Sequence, residues 1–199
     1  MRPDSKREQI LRAAEEVFAE KGFKGATVRE IAERVDIRTP GLYYHFSNKQ
    51  EIYDSMIRNI YEGLGSKILE PMAGAEGIEA KVSLMVDLLM EYWAEHPMAP
   101  RIIAQETLLF KGLLYDELIP QVLAPMFEGM LGPLEDEAGP AIRDLDLSLL
   151  VYNVFGLTVF YFFAGHVLTM ITGVDSFAPE RLRTATGEIK DLVFEGIRA

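Results

Sequence analysis

Apolar residues recur along this chain at helical spacing. Val28, Ile31, Ala32 and Val35 stand three, four and seven positions apart, one apolar stripe on a short helix. Thr27 is placed to cap that helix, and Glu30, three residues on, completes a capping box. Asp36 breaks the pattern and Ile37 turns inward. Thr39 can then cap a second helix with Pro40 at its first position, where the missing N–H is not needed. Leu42 is the one core residue of this second helix, and Tyr43, Tyr44 and His45 occupy its other faces. A helix with a buried stripe, a short turn and a second helix with displayed side chains form a helix-turn-helix arrangement.

The same periodicity runs through the rest of the chain. Asp4 to Lys21 reads as a helix with Ile10, Ala14, Val17 and Phe18 buried and Gly22 as a left-handed C-cap. Asn48 caps a fourth helix, lined by Ile52, Met56 and Ile60, that runs toward Leu69; Pro71 to Gly77 reads as a turn-rich break. Ile78 to Glu95 is a fifth helix, with Val82, Met85, Leu89 and Tyr92 on one side and Val86 and Trp93 beside them. Pro100 to Phe110 is a sixth. Tyr115 to Leu134 is a seventh, bent or split at Pro120 and Pro125. Glu135 to Asp144 reads as an acidic loop, Leu147 to Thr172 as an eighth helix, and Pro179 to Arg198 as a ninth with a stripe of Leu182, Ile189, Val193 and Ile197. No strand pattern interrupts this series. The fold class is therefore all-α: a three-helix N-terminal module followed by a larger helical domain, about nine helices in all.

The run from Gly22 to Tyr53, GFKGATVREIAERVDIRTPGLYYHFSNKQEIY, resembles the N-terminal DNA-binding domain of the TetR family of transcriptional repressors. The resemblance rests on Gly22-Phe23, Thr27, Ile31-Ala32, Leu42-Tyr43, His45-Phe46 and Lys49. The family usually has glycine in the turn; here Asp36 stands there, and aspartate tolerates the left-handed conformation better than most residues. The resemblance implies a DNA-binding domain over residues 1–50 and an effector-binding and dimerisation domain over 51–199. It implies a homodimer, held by the eighth and ninth helices, that represses from a palindromic operator and is released by an effector. On such a module Arg29, Arg38, Thr39 and Gly41 are candidates to meet base edges. Thr27, Tyr43, Tyr44, His45 and Lys49 are candidates to position the backbone through its phosphates.

Charge distribution is compatible with that reading. The chain of 199 residues carries a net charge of −11. Residues 1–50 hold ten basic and eight acidic side chains, a balance of +2, whereas the other 149 hold ten and 23, a balance of −13. Only the N-terminal module can approach a polyanion without repulsion. The absence of cysteine removes disulfides and thiol chemistry, and the polar N-terminus shows no signal-peptide pattern, so a cytoplasmic location is expected.

Residues 147–174 contain no Asp, Glu, Lys or Arg, a run long enough to cross a bilayer. A transmembrane helix is thus an alternative to a buried dimer-core helix. Against it stand Asn153 and His166 within the run and the acidic flank Asp144 and Asp146. A small helical enzyme is a further alternative, but no phosphate loop, nucleophile elbow or cysteine nucleophile supplies chemistry, and no catalytic residue is assigned. His45, His96 and His166 are too scattered for a metal site, and no cofactor is expected. The segments expected around an effector cavity supply Met85, Leu89, Tyr92, Trp93, Gln105, Leu109, Met126, Phe127, Tyr152, Phe155, Phe162 and His166. That set is apolar and aromatic without arginine or lysine, which suits a mostly apolar, uncharged or weakly cationic small molecule.

Overall fold

A computed structural model describes residues 5–109, 112–138 and 145–197, with no strand among them. The elements are α1 (Lys6–Gly25), α2 (Val28–Arg34), α3 (Thr39–Tyr43), α4 (Lys49–Gly74), α5 (Ile78–Glu95), α6 (Ala99–Leu109), a π-helical segment (Leu114–Leu123) running into α7 (Ala124–Glu137), α8 (Leu147–Thr172) and α9 (Pro179–Ile197).

The first three helices close on a small core of Ile10, Ala14, Val17, Phe18, Ile31, Ala32 and Leu42, all essentially inaccessible. Ser5 caps α1 in a capping box with Glu8, so the helix starts after the expected Asp4, which lies outside the described residues. Gly22 is not a left-handed cap. Its φ of 65° and ψ of 170° fall in a region open essentially to glycine, and helical structure resumes to Gly25. Thr27 and Glu30 form the anticipated capping box. Asp36 takes a positive φ of 52°, so the turn keeps its left-handed residue without glycine. The start of α3 is shifted by one: Arg38 is the N-cap, Thr39 is already helical, and no side chain caps the end.

α4 joins the module to the rest. It packs against α1 near its start and against α5 and α7 further on. It passes straight through the expected break at Pro71 and ends at Gly74. Proline sacrifices one intrahelical hydrogen bond there. Two features offset that loss: Met72 is fully buried, and the buried Lys81 ammonium donates to the carbonyls of Met72 and Ala75 while facing Glu137 at 3.6 Å. Residues 135–137 of the expected acidic loop are the last turn of α7. Phe110, 139–144 and Arg198 lie outside the described residues.

α5 is the hub of the larger domain, touching α4, α7, α8 and α9. Trp93, fully buried, donates from Nε1 to the Thr158 hydroxyl of α8 at 3.2 Å. α8 sinks only Val151, Val154, Thr158, Phe162 and Gly165 into the protomer. Leu149, Tyr152, Phe160, Phe163, Val167 and Met170 remain exposed along the opposite side. Beside Leu149 and Tyr152 runs an open groove of about 610 Å³ between α8 and α9, also lined by Gly156, Leu157 and Leu192.

Candidate nucleic-acid interface and sensor core

Leu42, with no exposed surface, anchors α3 to the module and fixes which side chains face outward. Tyr44 is 87% exposed and Tyr43 48%, while the half-buried His45 ring meets Tyr44 edge-on at 5.3 Å. Arg38 is exposed at the start of the helix and forms no ion pair among the described residues. Gly41 is exposed and Thr39 half-buried on the same short helix. Arg29 lies on α2 with its Nε 2.7 Å from Glu33, an exposed pair that water can replace at little cost. Arg34 is different. It bridges Glu16 at 2.7 Å and Glu20 at 2.8 Å, tying α2 to α1.

Two of the expected phosphate contacts are already engaged inside the module. The Thr27 hydroxyl donates to Glu30 Oε2 at 2.8 Å and accepts from the Glu30 N–H, so its proton is committed to the cap. Lys49 donates to the Phe23 carbonyl at 2.7 Å and the Ala26 carbonyl at 3.0 Å, and its ammonium lies 4.5 Å from the Phe23 ring centroid. Its position at the start of α4 puts the amine over the carbonyl end of α1, which attracts a cation. Its first role here is to close that helix end, a correction to the expected phosphate contact.

The expected effector-lining residues divide into three groups. Met85, Leu89, Tyr92, Trp93, Met126 and Phe162 are buried in one continuous core, with Phe127 and Phe155 packed against it. Gln105 is half-buried. Tyr152 and His166 are exposed and do not belong with the others. Each follows directly after a buried residue of α8, Val151 or Gly165, and one step rotates a side chain about 100° around a helix. The Leu109 side chain lies outside the described residues. Tyr92 is less free than expected: its hydroxyl donates to the Ile60 carbonyl of α4 at 2.6 Å, and burial raises its pKa.

Three buried charged residues were missed from the sequence: Glu15, Lys81 and Glu106. Glu106 accepts from the Tyr53 hydroxyl at 2.6 Å and forms no ion pair among the described residues. Its position, four after buried Ile102 and three after buried Ile103, was a legible sign that it sits on the inner face of α6. His96, expected to be merely a polar helix end, closes α5 beside Glu15 of α1, with Nδ1 3.3 Å from the carboxylate, and stacks on Tyr92 at 4.5 Å.

A helix-turn-helix module, joined by one long helix to a wholly helical domain, defines a class of DNA-binding regulators. The family model for bacterial regulatory proteins, tetR family, matches residues 10–56, from α1 to the first turns of α4. The chain is a member of the TetR family of transcriptional regulators through this N-terminal module, and it is not an enzyme. It is 26% identical to the HTH-type transcriptional repressor NicS of Pseudomonas putida, over 98% of this chain and 93% of that protein. It is 23% identical to the HTH-type transcriptional regulator RutR of Escherichia coli, over 98% and 91%. Among solved structures, the ketosteroid transcriptional regulator KstR2 of Mycobacterium tuberculosis superposes with a TM-score of 0.75 at 21% identity, over 100% of this chain and 97% of that one. FadR of Bacillus subtilis, in complex with stearoyl-CoA, superposes at 0.68 with 22% identity, over 97% and 100%. These likenesses show the fold across the whole length.

Proposed function

We propose that the protein is a homodimeric repressor that occupies a palindromic operator and leaves it when a small, mostly apolar molecule binds the larger domain. The observation that carries this reading is α3: one buried anchor, Leu42, and around it Arg38, Tyr43 and Tyr44 held outward. Of the base-edge candidates, Arg38 has the free guanidinium that can pair bidentately with guanine; Arg29, Thr39 and Gly41 flank it. Tyr43, Tyr44 and His45 are suited to hold the phosphate backbone. The domain division over 1–50 and 51–199 places its boundary at the start of α4, which belongs to both parts.

Dimerisation is assigned to the exposed apolar side of α8 with α9. α8 is long and apolar enough to span a membrane by length and composition, but the proposal gives its exposed side to a second copy. The supporting argument is local. Val151, Val154, Thr158 and Phe162 are already packed inside the protomer, and Thr158 is tied to Trp93, so one face is used as a core helix. An effector would insert among Met85, Leu89, Trp93, Met126, Phe127, Phe155 and Phe162, with Gln105 as a polar handle. The stearoyl chain of the ligand bound by the B. subtilis relative belongs to the same apolar class. The effector must favour a conformation in which the two recognition helices are wrongly spaced for the operator.

Selection of the protein against random duplexes tests the reading. An enriched inverted repeat, bound by a dimer and released by an apolar compound that raises the melting temperature, is the expected result. Enrichment of no inverted repeat would overturn it.

A further inference from the structure

The sensor domain meets the DNA-binding module at few polar points, and one of them is buried. Glu106 of α6 is 4% exposed and Tyr53 of α4 is 7% exposed, and the phenol donates to the carboxylate at 2.6 Å. The Tyr53 ring also holds α1, edge-on to Phe18 at 4.8 Å and tilted against Phe23 at 4.9 Å. Phe23 is the ring under the Lys49 ammonium. One side chain therefore links the inner face of α6 to the helix end that carries α2 and α3.

This bond is a poor way to gain stability. A buried carboxylate with no cationic partner among the described residues pays a large desolvation cost that one hydrogen bond does not repay. An apolar pair of similar volume would serve packing at least as well. What a short hydrogen bond supplies and an apolar contact does not is direction, because it weakens steeply off its axis. Tyr61, two turns along α4, lies close enough to feel the Glu106 charge, and burial followed by that charge raises its pKa.

Resting on the operator-binding reading above, we infer that the Tyr53–Glu106 hydrogen bond positions the DNA-binding module on the sensor domain. Tyr53 and Glu106 are positioning residues: neither faces DNA, and together they narrow the range of separations the two recognition helices of a dimer can adopt. Loss of the bond leaves the fold intact and the spacing loose.

The decisive variant is the double substitution Y53F/E106M. It keeps both side-chain volumes, retains the ring against Phe18 and Phe23, and leaves no orphaned polar group. Wild type, Y53F/E106M and E106Q are compared on a library of operators whose half-site spacing varies, alongside thermal melting. Wild type is expected to favour a narrow set of spacings. Y53F/E106M is expected to melt no lower than wild type, to bind the best operator roughly 3- to 30-fold more weakly, and to accept a broader set of spacings. E106Q keeps an acceptor for the phenol and is expected to keep the narrow set. A Y53F/E106M protein with wild-type affinity and a wild-type spacing profile would overturn the inference. Failure of wild type to select any inverted repeat would instead sink the operator-binding reading.

Discussion

The Lys49 ammonium lies 2.7 Å from the carbonyl oxygen of Phe23, which makes a residue expected to touch DNA a clamp on the end of α1. Lys49→Ala should uncover two carbonyls at that end. The expected cost is about 1–2 kcal/mol of stability, seen as a lower melting temperature without DNA. Operator affinity should fall mainly through the loss of folded module. A variant with unchanged melting, whose binding loses about one unit of salt slope per protomer, would restore the phosphate role.

Arg38 has the opposite character, exposed and free of ion pairs among the described residues. Arg38→Ala should leave melting unchanged within about 0.5 kcal/mol. It should relax preference at one base pair of each half-site, by about 1–3 kcal/mol. Competition between operators differing at single positions measures this directly; a uniform loss across all positions would assign Arg38 to the backbone instead.

Phe160 projects from the exposed side of α8, with its ring 6.3 Å from that of Phe163. Phe160→Glu should place an unpaired carboxylate in the proposed dimer interface and shift the protein toward monomer in sedimentation. Persistence of the dimer at unchanged stability would move the interface off this side of α8.

The two glycines of α8 expected to permit close helix approach do different things. A Cβ on Gly165 would come within 2.6 Å of the Phe177 ring, which folds back from the loop before α9. Gly165→Ala should therefore destabilise the protomer itself by about 1–3 kcal/mol. A Cβ on Gly156 meets nothing within 4 Å. Gly156→Ala should leave protomer stability unchanged, so that any loss of dimer affinity reports a close approach by the partner. Equal effects of the two substitutions on protomer melting would contradict this division.

Glu30 holds the capping box of α2. A hydrogen bond from Lys21, followed by those from the Thr27 hydroxyl and N–H, lowers its carboxyl from 4.5 to about 2. A lowered folded-state pKa stabilises the fold above the unfolded value and loses that contribution as pH falls toward the folded one. Glu30→Gln should thus lower the melting temperature at neutral pH, with the difference from wild type shrinking between about pH 4.5 and pH 2. A difference independent of pH across that window would show that the cap does not depend on the charge.

What the sequence determined by itself was periodic or local. The stripes of α1, α2, α4 and α5, the capping boxes at Thr27 and Asn48, and the left-handed Asp36 are set by neighbours within one or two turns, so they can be read without a partner element. The single buried anchor of α3 and the outward tyrosines follow from the same periodicity. Tertiary structure decided whatever depends on distant atoms. Pro71 stays inside α4 because Met72 and Lys81 secure the helix end from across the fold. Lys49 is drawn to carbonyls 23 and 26 residues away. Tyr152 and His166 leave the proposed pocket because α8 is apolar on all sides, so hydropathy could not say which side α5 would cover. The Tyr53–Glu106 bond spans 53 residues, and only packing α6 against α4 brings the phenol to the carboxylate.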